Sequence, residues 1–355
     1  MTVTELGVGN LLSADLNHLL NLAEPSFRAL RGSRILVTGG SGFVGKWLVG
    51  NMLHANNILN LDITFVVISR DKTRLLNELR LDDEGELAVW ETNLSKEFNP
   101  ISPFGSSFSH MIHLATPTTR ASGNGEFVNV RKATMGGLEL MVALAERSSS
   151  QPTLLHASSG AVYGQNARSN EFIAEGEAER DQGKITEYGA IKLEAEEFVI
   201  KSTLDGKITG TNPRLFAFFG PHLSFEDYAI GNFFRDAADT GVIHVKGHPQ
   251  TQRSYLYPTD LVHILLQLLV NPIQSPFNVG SKQQITMVNL ATEIASHIKA
   301  KKITYGFEEE IPNYYVPMIN TIENNFNFAP SISLSQGIQK WVSWREIQPA
   351  RNSIL

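Results

Sequence analysis

The chain contains no cysteine, which excludes disulfides, thiolate metal sites, iron–sulfur clusters and cysteine nucleophiles together. It lacks a basic excess as well. Thirty Lys+Arg stand against 36 Asp+Glu, a net charge of -6, opposite in sign to the footprint of a nucleic-acid-binding protein. No charge-free apolar run reaches the ~18 residues that a membrane helix needs. The longest apolar stretch, Leu256–Val270, is interrupted by Asp260 and His263. No basic segment followed by an apolar block opens the sequence, so no secretory signal is read and a cytoplasmic protein is expected. The ten histidines form no H-E-x-x-H or H-x-H, and no G-x-x-x-x-G-K-[ST] loop occurs, so neither a metal site nor ATP hydrolysis is indicated.

What is present is an ordinary globular balance. The 355 residues are 42% hydrophobic and 19% charged, enough to bury a large core without staples. Residues 1–33 carry Leu16, Leu19, Leu20, Leu22 and Ala23 at helical spacing, with Ser13 or Asp15 as a candidate N-cap. From Arg34 short apolar strands alternate with helices. Strands are predicted at Arg34–Thr38, Ile63–Ser69, Leu87–Glu91, His110–Leu114, Thr153–Ala157 and within Lys207–Ala217. Helices are predicted over Lys46–Asn56, Asp71–Arg80, Phe127–Ser148, Ile185–Ser202 and Leu256–Val270. The alternation implies an α/β fold, a Rossmann-type doubly wound parallel sheet covered on both faces. A smaller C-terminal substrate-binding lobe follows. The expected organisation is an N-terminal helical extension (1–33), a dinucleotide-binding domain (34–220) and a lobe over 221–345, of which 256–280 returns to the first domain. The acidic runs Asp82-Asp83-Glu84 and Glu308–Glu310 read as solvated loops.

Thr38–Gly45 reads T-G-G-S-G-F-V-G between a strand and a helix. Gly39, Gly42 and Gly45 give G-x-x-G-x-x-G, and Gly40, Gly42 and Gly45 give G-x-G-x-x-G. Such a turn lets backbone N–H groups and a helix N-terminus meet a pyrophosphate. At the end of the second strand stands Ser69-Arg70-Asp71 rather than a lone carboxylate. A hydroxyl and a guanidinium fork suit a 2′-phosphate, which favours NADP(H), with NAD(H) as the alternative.

Tyr188 and Lys192 form Y-x-x-x-K on one helix face, where an ammonium is expected to lower the phenol's pKa and make it a proton shuttle. Ser158-Ser159-Gly160-Ala161 follows the strand Thr153–Ala157, where ligands of such sheets bind. Either hydroxyl could be only a polar strand-end turn, a reading that fits Ser158 better than Ser159.

The combination of TGGSGFVG, HLAT (113–116), SSGAVYG, YGAIK, PRLFAFFGP (213–221), GNFF and RSYLYPTDL resembles the NAD-dependent epimerase/dehydratase family of extended short-chain dehydrogenases/reductases, which act on nucleotide sugars. The resemblance runs from about Arg34 to Trp344. It implies Ser159, Tyr188 and Lys192 as the catalytic trio. It implies cofactor contacts at Gly39, Gly42, Phe43, Val44, Gly45, Asn93 and Leu94, with Leu114, Ala115 and Thr116 as a backbone wall. It implies substrate contacts at Ser159, Asn232 and Arg253, and a homodimer paired through Phe127–Ser148 and Ile185–Ser202. Leu138, Leu140, Met141, Leu144, Ile191 and Phe198 are the apolar residues of those two helices, and burial against their own sheet competes with pairing for them.

Gly160 and Ala161 stand where dehydratases of the family carry acidic or proton-transferring residues, and the decarboxylases a glutamate at 161. A small residue there resembles the 4-epimerases. Ala217 replaces a frequent asparagine, and Asn93 a frequent aspartate. The expected activity is therefore nucleotide-sugar epimerisation at C4 through a keto intermediate. The alternatives are a dehydratase, decarboxylase or keto-sugar reductase of the same family, or a non-catalytic dinucleotide sensor.

Overall fold

The computed structural model describes the chain except residues 1–4, 82–86, 97–100, 118–125, 169–171, 177, 179–180, 182, 307–310 and 349–355. The two acidic runs named above therefore lie outside the described residues. In chain order the first half comprises α1 (Ser13–Ala29), β1 (Arg34–Thr38), α2 (Phe43–Leu59), β2 (Thr64–Ser69), α3 (Lys72–Leu79), β3 (Ala88–Glu91), β4 (His110–His113), α4 (Glu126–Glu146), β5 (Thr153–His156) and β6 (Ser158–Ser159). Then come α5 (Glu187–Leu204), β7 (Thr209–Thr211), β8 (Pro213–Leu215), α6 (Ala229–Thr240), β9 (Val242–Val245), β10 (Gln252–Ser254) and α7 (Pro258–Val270). The chain continues with β11 (Phe277–Val279), β12 (Gln284–Thr286), α8 (Met287–Ile298), β13 (Lys302–Tyr305), β14 (Tyr314–Tyr315), α9 (Asn320–Phe326) and α10 (Leu334–Glu346).

Six parallel strands form the main sheet in the order β3-β2-β1-β4-β5-β7. Because side chains alternate along a strand, its two faces belong to two cores. Ile35, Val37, Ile112 and Leu155 pack with Leu16, Trp47 and Leu265 of α1, α2 and α7. Leu36, Met111 and Leu154 pack with Leu138, Met141 and Val199 of α4 and α5. The sheet is thus doubly wound. Leu138, Leu140, Met141 and Leu144 are at most 1% exposed. They serve this internal core, so they are not the material of a dimer face.

Three smaller sheets follow, β11-β8-β6, β12-β10-β14 and β13-β9. The strand expected within Lys207–Ala217 is in fact two: β7 closes the main sheet beside β5, and β8 leaves it to pair with β6 and β11. Asn212, between them, is where the chain changes sheets.

Two further expectations are corrected. The N-cap of α1 is Leu12, with no side-chain capping bond, and neither Ser13 nor Asp15 fills that role. Asp15 is fully buried and accepts from Tyr257 Oη at 2.8 Å and Lys340 Nζ at 2.7 Å. Helix α7 begins at Pro258, since a proline at the first helical position fits the missing N–H of that turn, while Leu256 forms a bridge with Phe218. No helix of the described residues is long and apolar enough to cross a membrane.

Candidate active site

The β1–α2 turn forms one wall of a cavity of about 810 Å³, lined by Gly39, Gly42, Phe43, Val44 and Gly45. Gly39 adopts φ +75°, and a Cβ on it would stand 2.7 Å from the Leu114 carbonyl carbon and 2.8 Å from Ala115 N. Only glycine lets the turn rest on the end of β4. A Cβ on Gly45 would overlap the Gly39 carbonyl oxygen. Gly42 is the N-cap of α2 and has no capping side chain, so the helix presents its first N–H groups toward the cavity. Helix α2 starts three residues before the predicted Lys46, because Gly45 belongs to its first turn. This cradle, bare of side chains and facing a helix N-terminus, fits a diphosphate.

The opposite wall comes from α5 and the turn after β5. Thr186 caps α5 by accepting from Gly189 N at 3.1 Å, which fixes where Tyr188 and Lys192 point. Lys192 Nζ donates to Thr116 Oγ1 at 2.9 Å and Ala157 O at 2.5 Å. It lies 6.0 Å from the centre of the Tyr188 ring. Burial lowers the Lys192 pKa to about 7, with Glu196 opposing.

The expected acidic phenol is not found in the protein by itself. Burial pushes Tyr188 above its ordinary range, neighbouring Tyr228 and Tyr315 add to this, and hydrogen bonding to Ser159 opposes it. Desolvation outweighs any benefit from Lys192, whose own charge the same burial disfavours.

Ser158 and Ser159 diverge, as the alternation of a strand requires. Ser158 is buried and donates to Glu196 Oε1 at 2.5 Å. Glu196 is clasped by Arg214 through two bonds of 2.9 and 2.8 Å, and Arg214 also donates to Tyr163 Oη at 2.9 Å. This buried network ties the SSGAVYG turn to α5 and β8. Ser159 faces the cavity, and its Oγ accepts from Ala161 N at 3.2 Å.

Of the residues expected from sequence, the five of the glycine turn, Leu114, Thr116, Ser159, Tyr188, Lys192 and Arg253 all line this one cavity. Ala115 sits behind Leu114, its N–H on Thr38 Oγ1. Ser69, Arg70, Asn93 and Leu94 stand outside the cavity lining, at the ends of β2 and β3. Ser69 Oγ and Asp71 are occupied with each other and with capping α3, which leaves Arg70 as the exposed group there. Asn93 Oδ1 accepts from Ser95 N and Oγ. Asn232 is outside the lining too, its amide donating to Glu226 O and Tyr228 O.

Sequence reasoning missed His222, Asp227, Tyr228, Asn313 and Tyr315, which complete the wall. They lie far along the chain, and no local motif marks them. Strand pairing does the placing: Tyr315 is in register with Arg253. Among the described residues no group of three metal-binding side chains occurs.

A nucleotide-binding α/β sheet with serine, tyrosine and lysine gathered at its carboxyl edge defines a dehydrogenase-like class. The sequence pattern of the NAD dependent epimerase/dehydratase family matches residues 35–280. The chain belongs to that family, enzymes that modify nucleotide sugars. UDP-glucuronic acid decarboxylase 1 of Arabidopsis thaliana is 25% identical over 87% of this chain and 69% of its own length. UDP-glucuronate 4-epimerase 1 of the same plant is 25% identical over 88% and 76%. The dTDP-glucose 4,6-dehydratase DesIV of Streptomyces venezuelae, solved with NAD and TYD bound, superposes with TM-score 0.74 at 17% identity, covering 88% of this chain and 97% of that one.

Proposed function

We propose that the protein is a nucleotide-sugar 4-epimerase. The observation that carries this reading is the convergence of Ser159, Tyr188 and Lys192 on the cavity that the glycine turn opens, with glycine and alanine immediately after Ser159. A bound nicotinamide dinucleotide supplies a hydride acceptor that is also the donor for the return step. The chain's residues do the rest. Arg253 clamps the diphosphate of the sugar nucleotide. Ser159 donates to the sugar oxygen, and Tyr188 takes its proton as the alcohol becomes a ketone. For that step the phenol's own proton must first pass to Lys192, whose lowered pKa leaves a neutral amine able to accept it and so to gain charge. The ketone then turns in the cavity, where its carbon would take the hydride back on the other face and its oxygen the proton held at Tyr188, so no net reduction results.

Arg70, exposed at the end of β2, supports a preference for NADP(H) through its 2′-phosphate. The protein acts as a homodimer in this reading, as the family resemblance implies.

A second reading, a dehydratase or decarboxylase with relocated acid/base groups, has one observation in its favour. Asp227 places a carboxylate on the cavity wall that residues 160 and 161 do not supply. Incubation with UDP- and dTDP-hexoses and with UDP-glucuronate separates the readings. Epimerisation gives a product of unchanged mass with an inverted proton signal in NMR and no net change at 340 nm. Loss of water or carbon dioxide, or stoichiometric consumption of reduced cofactor, would overturn it.

A further inference from the structure

The chain that leaves β8 crosses to helix α2 and is fastened there twice. The ring of Phe218 stacks face to face on Phe43, with 4.9 Å between centres and 7° between planes. One helical turn further along α2, Trp47 Nε1 donates to Pro221 O at 3.0 Å. A third fastening follows: His222 Nε2 donates to Gly9 O at 3.0 Å, and its ring meets Trp344 edge-on, 5.1 Å between centres. Gly220 at φ +130° and His222 at φ +75° bend this strap. A left-handed histidine is costly, and these contacts hold it there.

The two fastenings to α2 differ in kind. Trp47 and Pro221 are buried. Phe43 and Phe218 are half-buried, and both line the cavity. Phe43 is the first residue of α2, directly after the bare N-cap Gly42, so it stands beside the N–H groups that suit a diphosphate. Phe218 belongs to the β8 side of the cavity, with Leu215, Phe216 and Ala217. The stack therefore joins the cradle to the β8 side.

We propose that the Phe43–Phe218 stack is a clasp that closes a dinucleotide onto the glycine turn and must part before the dinucleotide enters or leaves. An epimerase returns its hydride to the same sugar, so it gains from a dinucleotide that stays through many turnovers. In that respect the clasp deepens the epimerase reading and rests on it, although its closing needs no sugar.

The test is a double-mutant cycle of Phe43→Leu and Phe218→Leu, read as the association and dissociation rates of NADPH and of NADH in stopped-flow fluorescence. Leucine keeps an apolar side chain and removes the stack. Because the contact is between two protein rings, each variant is expected to speed entry and exit alike, by about tenfold, with Kd within about threefold of wild type. The double variant should be no faster than either single one. Phe218→Tyr keeps the ring and should retain the wild-type rates. Phe218→Met, also ringless, should behave as Phe218→Leu does, so a folding defect peculiar to leucine does not hide the effect. Faster exit alone, with affinity weakened in proportion, would mean that the rings merely touch the dinucleotide, and it overturns the clasp. So do wild-type rates in both leucine variants, additive effects in the cycle, or a wild type that binds neither dinucleotide. Slow, coupled exchange in a wild type that epimerises no UDP- or dTDP-hexose would instead overturn the epimerase reading and leave the clasp supported.

Discussion

Replacing Lys192 by methionine should make the protein more stable while abolishing its chemistry. The lysine is buried, and its pKa falls from 10.5 to about 7. That fall corresponds to about 5 kcal/mol against the charged form, at ~1.4 kcal/mol per decade. Methionine, of similar length, removes this cost. It also leaves the Ala157 carbonyl without its donor, which costs about 1–3 kcal/mol. Thr116 Oγ1 still receives the Thr134 hydroxyl at 3.1 Å. A net gain of about 2–4 kcal/mol is expected in urea unfolding of the cofactor-free protein below neutral pH.

The pH dependence carries the sharper signature. In the unfolded chain Lys192 keeps its proton up to its ordinary pKa, whereas the folded protein releases it near 7. Between these limits the unfolded state binds more protons, so wild-type stability rises with pH through that window. In Lys192→Met that contribution to the rise should vanish, and the gain over wild type should shrink toward alkaline pH. A variant less stable than wild type below neutral pH, with the same rise, would refute the claim that the site holds its lysine against desolvation.

Other consequences follow from the same geometry. Gly45→Ala should lower dinucleotide affinity by more than tenfold in a fluorescence titration, because its Cβ overlaps the Gly39 carbonyl; unchanged affinity would place the diphosphate elsewhere. Arg70→Ala should weaken NADP binding at least tenfold and NAD binding little, whereas equal weakening would mean that no 2′-phosphate contact exists. Burial lowers the His113 pKa to about 3 and that of His222 to about 4, and pushes His156 down as well. These rings stay neutral in the fold while the unfolded chain takes up protons from about pH 6.5 downward, so stability should fall on acidification through that range. His156→Phe keeps the stacking on His113, 5.4 Å between ring centres, and removes two ring nitrogens that have no partner. It should raise stability by about 1 kcal/mol at neutral pH and flatten the acid slope; a loss of stability would show that those nitrogens are satisfied by buried water.

Much of the architecture could be read from local pattern. Five-residue apolar runs such as RILVT mark strands buried on both faces, and the glycine turn and Y-x-x-x-K each carry their spacing within a few residues. They meet in one cavity because a parallel sheet sends all its carboxyl ends to the same edge. What could not be read depends on pairing between distant segments. Tyr315 carries no motif, and only the register of β14 on β10 brings it to the cavity wall. The split between β7 and β8 was hidden because TGTNPRL reads as one extended run. Asp15 looked like a cap because an acidic residue at a helix start usually is one. Here its carboxylate turns inward to Lys340, 325 residues away. The pKa of Tyr188 departs from what the spacing implies for a related reason. Spacing shows that an ammonium is near, whereas burial, which decides the balance, is a property of the whole fold.

The most direct measurement is turnover and cofactor binding by Tyr188→Phe, side by side. The Ser159–Tyr188–Lys192 account expects dinucleotide affinity within about twofold of wild type and epimer formation lowered at least a thousandfold, the general-base contribution with the Ser159 geometry that depends on it. Undiminished epimer formation by the phenylalanine variant would contradict it and move the proton transfer to another residue of the cavity.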